Sequence, residues 1–307
     1  MKRFLDCNAS DFETCTKAEL LQAIAGSEGR VLLSETIGMA MPLLGDVTNA
    51  ELAASMGADI LLLNLFDVDH PVIQGLPKVA PNQMIKEVKR LTGRPVGINL
   101  EPAPEVIDDG REKPVWALTN GRRATLENAQ KAVDMGVNMI VLTGNPGVGV
   151  KNQAIVDTLL LYKQEIGNEV ILAAGKMHAS GVLSEGGERI LTKADIKEFV
   201  EAGADVILMP APGSVPGITM EYIRELVVYA HDLGALTITS IGTSQEGADL
   251  QTIRQMALLC KMTGTDMHHI GDSGYLGTAL PENILAYSTV IRGIRHTYRR
   301  MAASIRR

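Results

Sequence analysis

Aromatic residues are scarce in this chain, at 4% of the total with a single tryptophan, and cysteines number only three. A core short of aromatic rings has to be filled by Leu, Ile, Val, Ala and the 14 methionines. Cys7, Cys15 and Cys260 have neither metal-ligand spacing nor an even disulfide framework, which points to a reducing, cytoplasmic setting. Positive charge is not in excess either. The net charge of −7 argues against a nucleic-acid binder or an anionic-membrane binder. No apolar run reaches membrane-spanning length, and the first ten residues lack the hydrophobic core of a signal peptide. No Pro/Gly/Ser-rich linker interrupts the chain, so residues 1–307 are expected to form one domain.

What the chain does have is regular punctuation by glycine. Gly29, Gly57, Gly93, Gly136, Gly167, Gly203, Gly234 and Gly264 each end a helix-like stretch and open a short apolar run. A glycine just past a helix accepts left-handed backbone angles and turns the chain toward a strand. The runs place strands near 31–36, 60–65, 96–101, 138–143, 170–176, 205–210, 235–241 and 266–271. Eight βα units predict an α/β fold, a single (β/α)8 (TIM) barrel, whose chemistry sits at the C-terminal ends of the strands. Ahead of the first strand, Thr16 and Glu19 have capping-box spacing and predict an extra N-terminal helix under the barrel floor. After the eighth, a long helix begins at Pro281; its basic end reads as a solvated face that offsets the helix dipole, with contact to RNA or an acidic partner as the rival.

Strand side chains alternate between the barrel axis and the surrounding helices. In the third strand Val96, Ile98 and Leu100 suit the helices, leaving Gly97, Asn99 and Glu101 inward. In the fifth, Leu172, Ala174, Lys176 and His178 share a face that brings a lysine to the rim if it is the inward one. In the seventh, Leu236 and Ile238 are expected to cover the helices and Thr237 and Thr239 to face the axis. Glu35, Asn64 and Thr143 end the first, second and fourth strands, and only one of His268 and His269 can face inward. A one-residue slip reverses any of these assignments. Glu101 and Lys176 would satisfy each other across the mouth, as a structural pair or as catalytic groups.

The loops after strands seven and eight are glycine-containing and rich in hydroxyls. Gly242, Thr243 and Ser244, with Gly271, Asp272, Ser273 and Gly274, are the candidate phosphate cradle, because converging backbone N–H groups bind anions there. Ordinary tight turns are the alternative. The loops over 101–127 and 178–193 are long enough to be lids, and Arg122 or Arg123 would close over an anionic substrate.

Lys176, Glu101, His178 and Glu35 supply a base, an acid and a carbonyl-polarising cation, with Asn64, Asn99, Thr143 and Arg122 as substrate contacts. This set suits proton abstraction or carbon–carbon cleavage next to a carbonyl in a small phosphorylated sugar or keto acid. A lyase or isomerase is therefore expected, using a Schiff base or metal-assisted enolisation. No cofactor is certain, but Asp67, Asp69 and Glu101 are carboxylates of the kind that hold Mg²⁺ or Mn²⁺. A phosphorylated small molecule is the expected partner, and homo-oligomerisation is compatible with such barrels.

The whole-chain pattern resembles the phosphate-binding (β/α)8 barrel superfamily. It is also similar to a bacterial barrel group loosely tagged phosphoenolpyruvate phosphonomutase-like or haloacid dehalogenase-like. The second resemblance rests on LLLNLFDVDHPV over 61–72 and on IGDSGYLG over 270–277, and implies a phosphatase with Asp67 as nucleophile and Asp69 as acid/base. A barrel that binds a phosphometabolite without catalysis is the remaining alternative.

Overall fold

The computed structural model describes residues 2–104, 117–144, 150–179 and 183–307. The eight strands are β1 (Val31–Ile37), β2 (Ile60–Asn64), β3 (Val96–Leu100), β4 (Met139–Leu142), β5 (Ile171–Gly175), β6 (Val206–Pro210), β7 (Leu236–Ile241) and β8 (Met267–Ile270). They pair in parallel in chain order, and β8 returns to β1 to close the ring. Helices α1 (Ala9–Thr14) and α2 (Lys17–Ala25) precede β1. After strands one to seven come α3 (Asn49–Ser55), α4 (Met84–Thr92), α5 (Leu126–Asp134), α6 (Asn152–Glu165), α7 (Lys193–Ala202), α8 (Met220–Asp232) and α9 (Leu250–Thr263). The long α10 (Pro281–Ala302) follows β8. The fold is a (β/α)8 barrel.

Seven of the eight punctuating glycines have positive φ, from 63° at Gly93 to 120° at Gly203. Gly167 does not. There a Cβ would stand 2.5 Å from the Lys163 carbonyl oxygen, so closeness of backbone is what selects glycine. Helix α2 starts as its sequence requires: Thr16 Oγ1 accepts from the Glu19 N–H, and the Glu19 carboxylate accepts from the Thr16 N–H.

Two apolar shells fill the molecule. The outer one joins the helices to Leu61 and Leu63, Val96, Ile98 and Leu100, Leu172 and Ala174, and Ile241. The inner one contains Val31 and Leu33, Ile60 and Leu62, Met139 and Val141, Ile171 and Ala173, and Ile238, with Phe4, Phe12, Leu20 and Ile24 plugging the floor. This division confirms the expected faces of β3, decides the open one of β5 and corrects that of β7. Leu172 and Ala174 face the helices, so the fifth-strand face shared with Lys176 is the outward one. Leu236 and Ile238 pack toward the axis, so Thr237 and Thr239 lie outward. Every residue of β5 is buried, so neither face carried a polar marker.

The basic end of α10 is also corrected. Arg292 and Arg300 are buried beneath the barrel, ion-paired to the buried Asp59 just ahead of β2, and Gly293 (φ 74°) breaks the helix between them. Arg299 donates to the Asp6 carbonyl and to Asn8 Oδ1. These cations hold the helix to the floor instead of facing solvent. No helix among the described residues is long and apolar enough to cross a membrane.

Candidate active site at the carboxyl ends of the strands

The inward residues at the ends of β1, β2, β3, β7 and β8 are polar where the layer below them is aliphatic. Glu35, Asn64, Asn99, Ser240 and His269 are all buried and linked by hydrogen bonds. Asn99 Nδ2 donates to Glu35 Oε1 (2.6 Å) and to Asn64 Oδ1 (3.1 Å). Asn64 Nδ2 donates to Asp272 Oδ2 (2.8 Å), and the Ser273 hydroxyl donates to Asp272 Oδ1 (3.0 Å). On the other side of Glu35, Oε2 lies 3.2 Å from His269 Nε2, and His269 Nδ1 is 2.5 Å from Ser240 Oγ. Buried polar groups are costly unless bonded, so a network this deep in the mouth also fixes its members' orientations.

Ser240, His269 and Glu35 have the connectivity of a serine–histidine–carboxylate triad. Ser240 is fully buried, however, and its Oγ lies against Met177 Sδ (3.5 Å). A nucleophile must reach substrate, so this serine acts here by fixing the imidazole. Through its two ring nitrogens the His269 imidazole links the Ser240 hydroxyl to Glu35. His268 points the other way, to the Gly29 carbonyl (2.9 Å) and the Tyr287 hydroxyl (3.3 Å), and burial lowers its pKa to about 4. It is a neutral structural group.

Asp272 is the electrostatic centre. Burial first, and then the neighbouring Glu35 charge, raise its pKa to about 7, against the pull of the Asn64 and Ser273 hydrogen bonds. Glu246, on the loop after β7, is also raised by burial. It accepts the Ser273 N–H at Oε1 (2.7 Å), while its Oε2 is buried with no hydrogen-bond partner among the described residues. Glu246 was not anticipated from the sequence, where it reads as one more polar residue of a glycine loop.

The expected phosphate cradle is therefore furnished with carboxylates. Ser273 N–H, one of the donors expected for an anion, is engaged by Glu246. The glycines serve close packing: a Cβ at Gly271 would lie 2.7 Å from Glu246 Oε1, one at Gly242 2.0 Å from Met177 Cε, and one at Gly274 3.1 Å from the Gly247 nitrogen. Thr243 and Ser244 have φ of 58° and 68°, and the Thr243 hydroxyl donates to the carbonyls of Gly242 (2.6 Å) and Ser214 (3.2 Å).

Glu101 and Lys176 both stand at the mouth but take other partners than each other. Glu101 is ion-paired with Arg122, both buried, and Arg122 Nη1 also donates to the Ala117 carbonyl (2.9 Å). Lys176 Nζ lies 3.8 Å from Glu185 Oε2. His178 has a lowered pKa, from burial chiefly and from the Lys176 charge. Thr143 is buried at the end of β4. Residues 105–116 and 180–182 of the two expected lids lie outside the described residues.

Asp67, Asp69 and Glu101 do not fit a metal. Asp67 Oδ1 accepts from the N–H groups of Asp69 (2.8 Å) and His70 (2.9 Å), and Oδ2 accepts from Thr119 Oγ1 (2.6 Å). Asp69 is paired with Lys131 (2.8 Å) and Glu101 with Arg122. No group of three His, Cys, Asp or Glu among the described residues is placed to hold an ion. The same contacts correct the haloacid dehalogenase-like resemblance. Asp67, its would-be nucleophile, has both oxygens engaged in tying one loop to the next, within a closed barrel.

A polar acid–base network at the C-terminal mouth of a closed (β/α)8 barrel puts the protein in the class of barrels with a chemically equipped rim. The chain belongs to the family described as domain of unknown function DUF7916, whose model matches residues 5–307. No curated protein matches it. Among solved structures it is similar to a Schiff base-forming fructose-1,6-bisphosphate aldolase (TM-score 0.56, 13% identity, covering 90% of this chain and 99% of that one). It is also similar to 2,3-dimethylmalate lyase, a phosphoenolpyruvate mutase/isocitrate lyase superfamily member (TM-score 0.50, 14% identity, 84% and 81% covered). A third is thiamine phosphate pyrophosphorylase from Pyrococcus furiosus (TM-score 0.48, 13% identity, 86% and 96% covered). At such identities the likeness is one of fold.

Proposed function

We propose that this protein is a lyase-type enzyme that moves a proton at or beside a carbonyl group of a small polar metabolite, with Asp272 and Glu35 as the acid–base pair. The observation that carries this reading is the bonded chain from Asp272 through Asn64 and Asn99 to Glu35 and His269, at the end of the barrel where substrates enter. Two carboxyl groups in one network cannot both ionise freely. Asp272, its pKa raised to about 7 by burial and by the Glu35 charge, is the one that exchanges its proton near neutrality, and Glu35 is held in place by Asn99 and His269. In a carbon–carbon cleavage the carboxylate form takes the proton from a hydroxyl, the adjacent carbon–carbon bond breaks, and its electrons pass to the neighbouring carbonyl as an enolate. The protonated partner then returns a proton to that enolate. In an isomerisation the same pair removes and returns a proton on carbon. The activities of the aldolase and the lyase named above are consistent with this class of chemistry, and they identify no substrate for this chain.

The decisive test is exchange of carbon-bound hydrogen with deuterated solvent, followed by NMR across a panel of keto acids and phosphorylated and free sugars. The wild type is expected to wash deuterium into at least one compound, and Asp272→Asn to slow that exchange by about 10²–10⁴-fold. Exchange at the wild-type rate in Asp272→Asn overturns the assignment; saturable binding with neither exchange nor turnover favours a metabolite-binding protein. A second reading rests on Lys176, which stands at the end of β5 near His178, an imidazole whose pKa is lowered by burial and by that lysine's charge. There the amine would add to a substrate carbonyl, lose water and form a protonated imine, which serves as the electron sink in place of the carbonyl oxygen.

A further inference from the structure

At the opposite end of the barrel, a cavity of about 210 Å³ opens between α1, the last turn of α4 and the tail beyond α10. Ala9, Phe12 and Ile305 form its apolar walls, and a Cβ at Gly93 would lie 2.9 Å from that of Ala9, so the two helices meet closely at its edge. Its charged lining is Lys86, Lys89, Arg90 and Arg94 against the single carboxylate of Glu13. In a chain of net charge −7, this concentration of cations runs against the composition.

Two of these cations lack the partner that burial normally demands. Arg94 is 6% exposed, yet its guanidinium bonds only to backbone carbonyls, those of Ala58 (2.9 Å), Gly93 (3.4 Å) and Arg300 (2.8 Å). Lys89, half-buried, donates to the Gly136 carbonyl (3.1 Å). Neither has a carboxylate within ion-pairing distance among the described residues. Behind them Arg292 and Arg300 pair directly with one carboxylate, Asp59, which reaches Arg94 only through space. Buried charges are ordinarily paired, because removing them from water is expensive. Lys89 and Arg94 line the cavity together with exposed Lys86 and with Arg90, itself exposed and paired with the half-buried Glu87 (2.6 Å).

We propose that this floor cavity is a binding site for a phosphoryl dianion, free or carried on a small metabolite. A dianion with several oxygens matches a set of cations converging from α4 and Arg94 better than chloride or a monocarboxylate does, and the volume leaves room for a short carbon chain. The site lies across the barrel from the mouth, so it would act on the enzyme as an effector site and not as part of the acid–base centre.

The test is thermal unfolding of the full chain in sodium phosphate against sodium chloride at equal ionic strength, with glycerol 3-phosphate and fructose 6-phosphate as further arms. The wild type is expected to rise in Tm saturably with phosphate, since a ligand that binds only the native state stabilises it. Lys89→Met and Lys86→Met should each weaken the half-saturating concentration about tenfold, the loss of one charge-assisted contact. Glu13→Gln, which removes the opposing carboxylate, should tighten it. A sugar phosphate that acts at lower concentration than phosphate, with the same dependence on these residues, identifies a metabolite as the source; equal responses identify free phosphate. The absence of any phosphate-specific or ester-specific response overturns the site, and so does a response unchanged in Lys86→Met and Glu13→Gln. Because the readout is binding, it is independent of whether Asp272 supports turnover.

Discussion

Asn64 donates its amide hydrogen to Asp272 at 2.8 Å while its carbonyl oxygen accepts from Asn99, so Asp272 is tied to Glu35 through two neutral amides. Amides carry no charge to compensate either carboxylate. The pair therefore keeps its mutual repulsion, which burial strengthens, and the proton affinity of Asp272 rises accordingly.

Asp272→Asn should also alter stability in a pH-dependent direction. Its folded pKa of about 7 lies above the ordinary aspartate value of 3.8, so the native state binds the extra proton between them. By linkage, wild-type stability falls as pH rises through that window and the penalty is complete above it. The asparagine variant lacks the ionisation. It should match or fall below the wild type at pH 4 and exceed it in Tm at pH 8, measured by calorimetry.

Proton transfer by a positioned side chain contributes about 10²–10⁴-fold to rate. Loss of turnover in Asp272→Asn should fall in that range for any substrate found by deuterium exchange. Ser240→Ala should cost less and act through the imidazole, shifting the pH profile more than the maximal rate. An equal collapse of both variants would make Ser240 a direct participant.

His231 and Asp266 provide a test at the floor. Their side chains are 2.8 Å apart, and that hydrogen bond raises the histidine's pKa. A group raised in the native state contributes fully below its unfolded pKa and loses the contribution as pH climbs through the folded value. His231→Gln should thus be destabilising at pH 5.5 and nearly neutral at pH 9. The histidine side chain is 40% exposed, so solvent screening limits the effect to roughly 0.5 kcal/mol. Urea titrations at the two pH values would detect it.

Asp59 anchors β1, β2 and α10 at once. It accepts the Leu32 N–H (2.8 Å) and pairs with Arg292 and Arg300, all within the buried floor. Asp59→Asn leaves two guanidiniums without a counter-charge, and breaking a buried pair costs about 3–5 kcal/mol. A loss of that size in urea unfolding is expected; a value near zero would mean that water reaches the arginines.

Lys176→Ala and borohydride separate the two readings of the mouth. If the carboxyl pair acts directly on a carbonyl, borohydride with an active substrate leaves no adduct, and Lys176→Ala keeps measurable solvent exchange. If an imine forms, mass spectrometry finds the reduced adduct on Lys176 and the alanine variant loses it.

The candidate rim was partly legible in the sequence. Glu35, Asn64, Asn99 and Asp272 could be named because each is a polar residue at the end of an apolar run. Glu246 and Ser240 carried no such signal, since one sits in a loop of small polar residues and the other in a strand where Thr237, Thr239 and Ser240 look alike. His269 could be narrowed only to one of a neighbouring pair. The pairing of Glu101 with Arg122 joins residues on two arms of one loop, which no periodicity reveals.

What the sequence determined by itself was local: eight turns from helix to strand, the capping of α2 by Thr16 and Glu19, and the parallel α/β order that leaves a closed ring as the economical solution. Those features depend on backbone angles and on neighbours within a few residues. The tertiary structure decided which face of β5 and β7 looks inward, and hence that Ser240 and His269 meet Glu35 while Lys176 follows the outward parity. Barrel strands are buried on both faces, so hydrophobicity marks them as strands without marking a side; only ring closure and the packing of the two shells choose it.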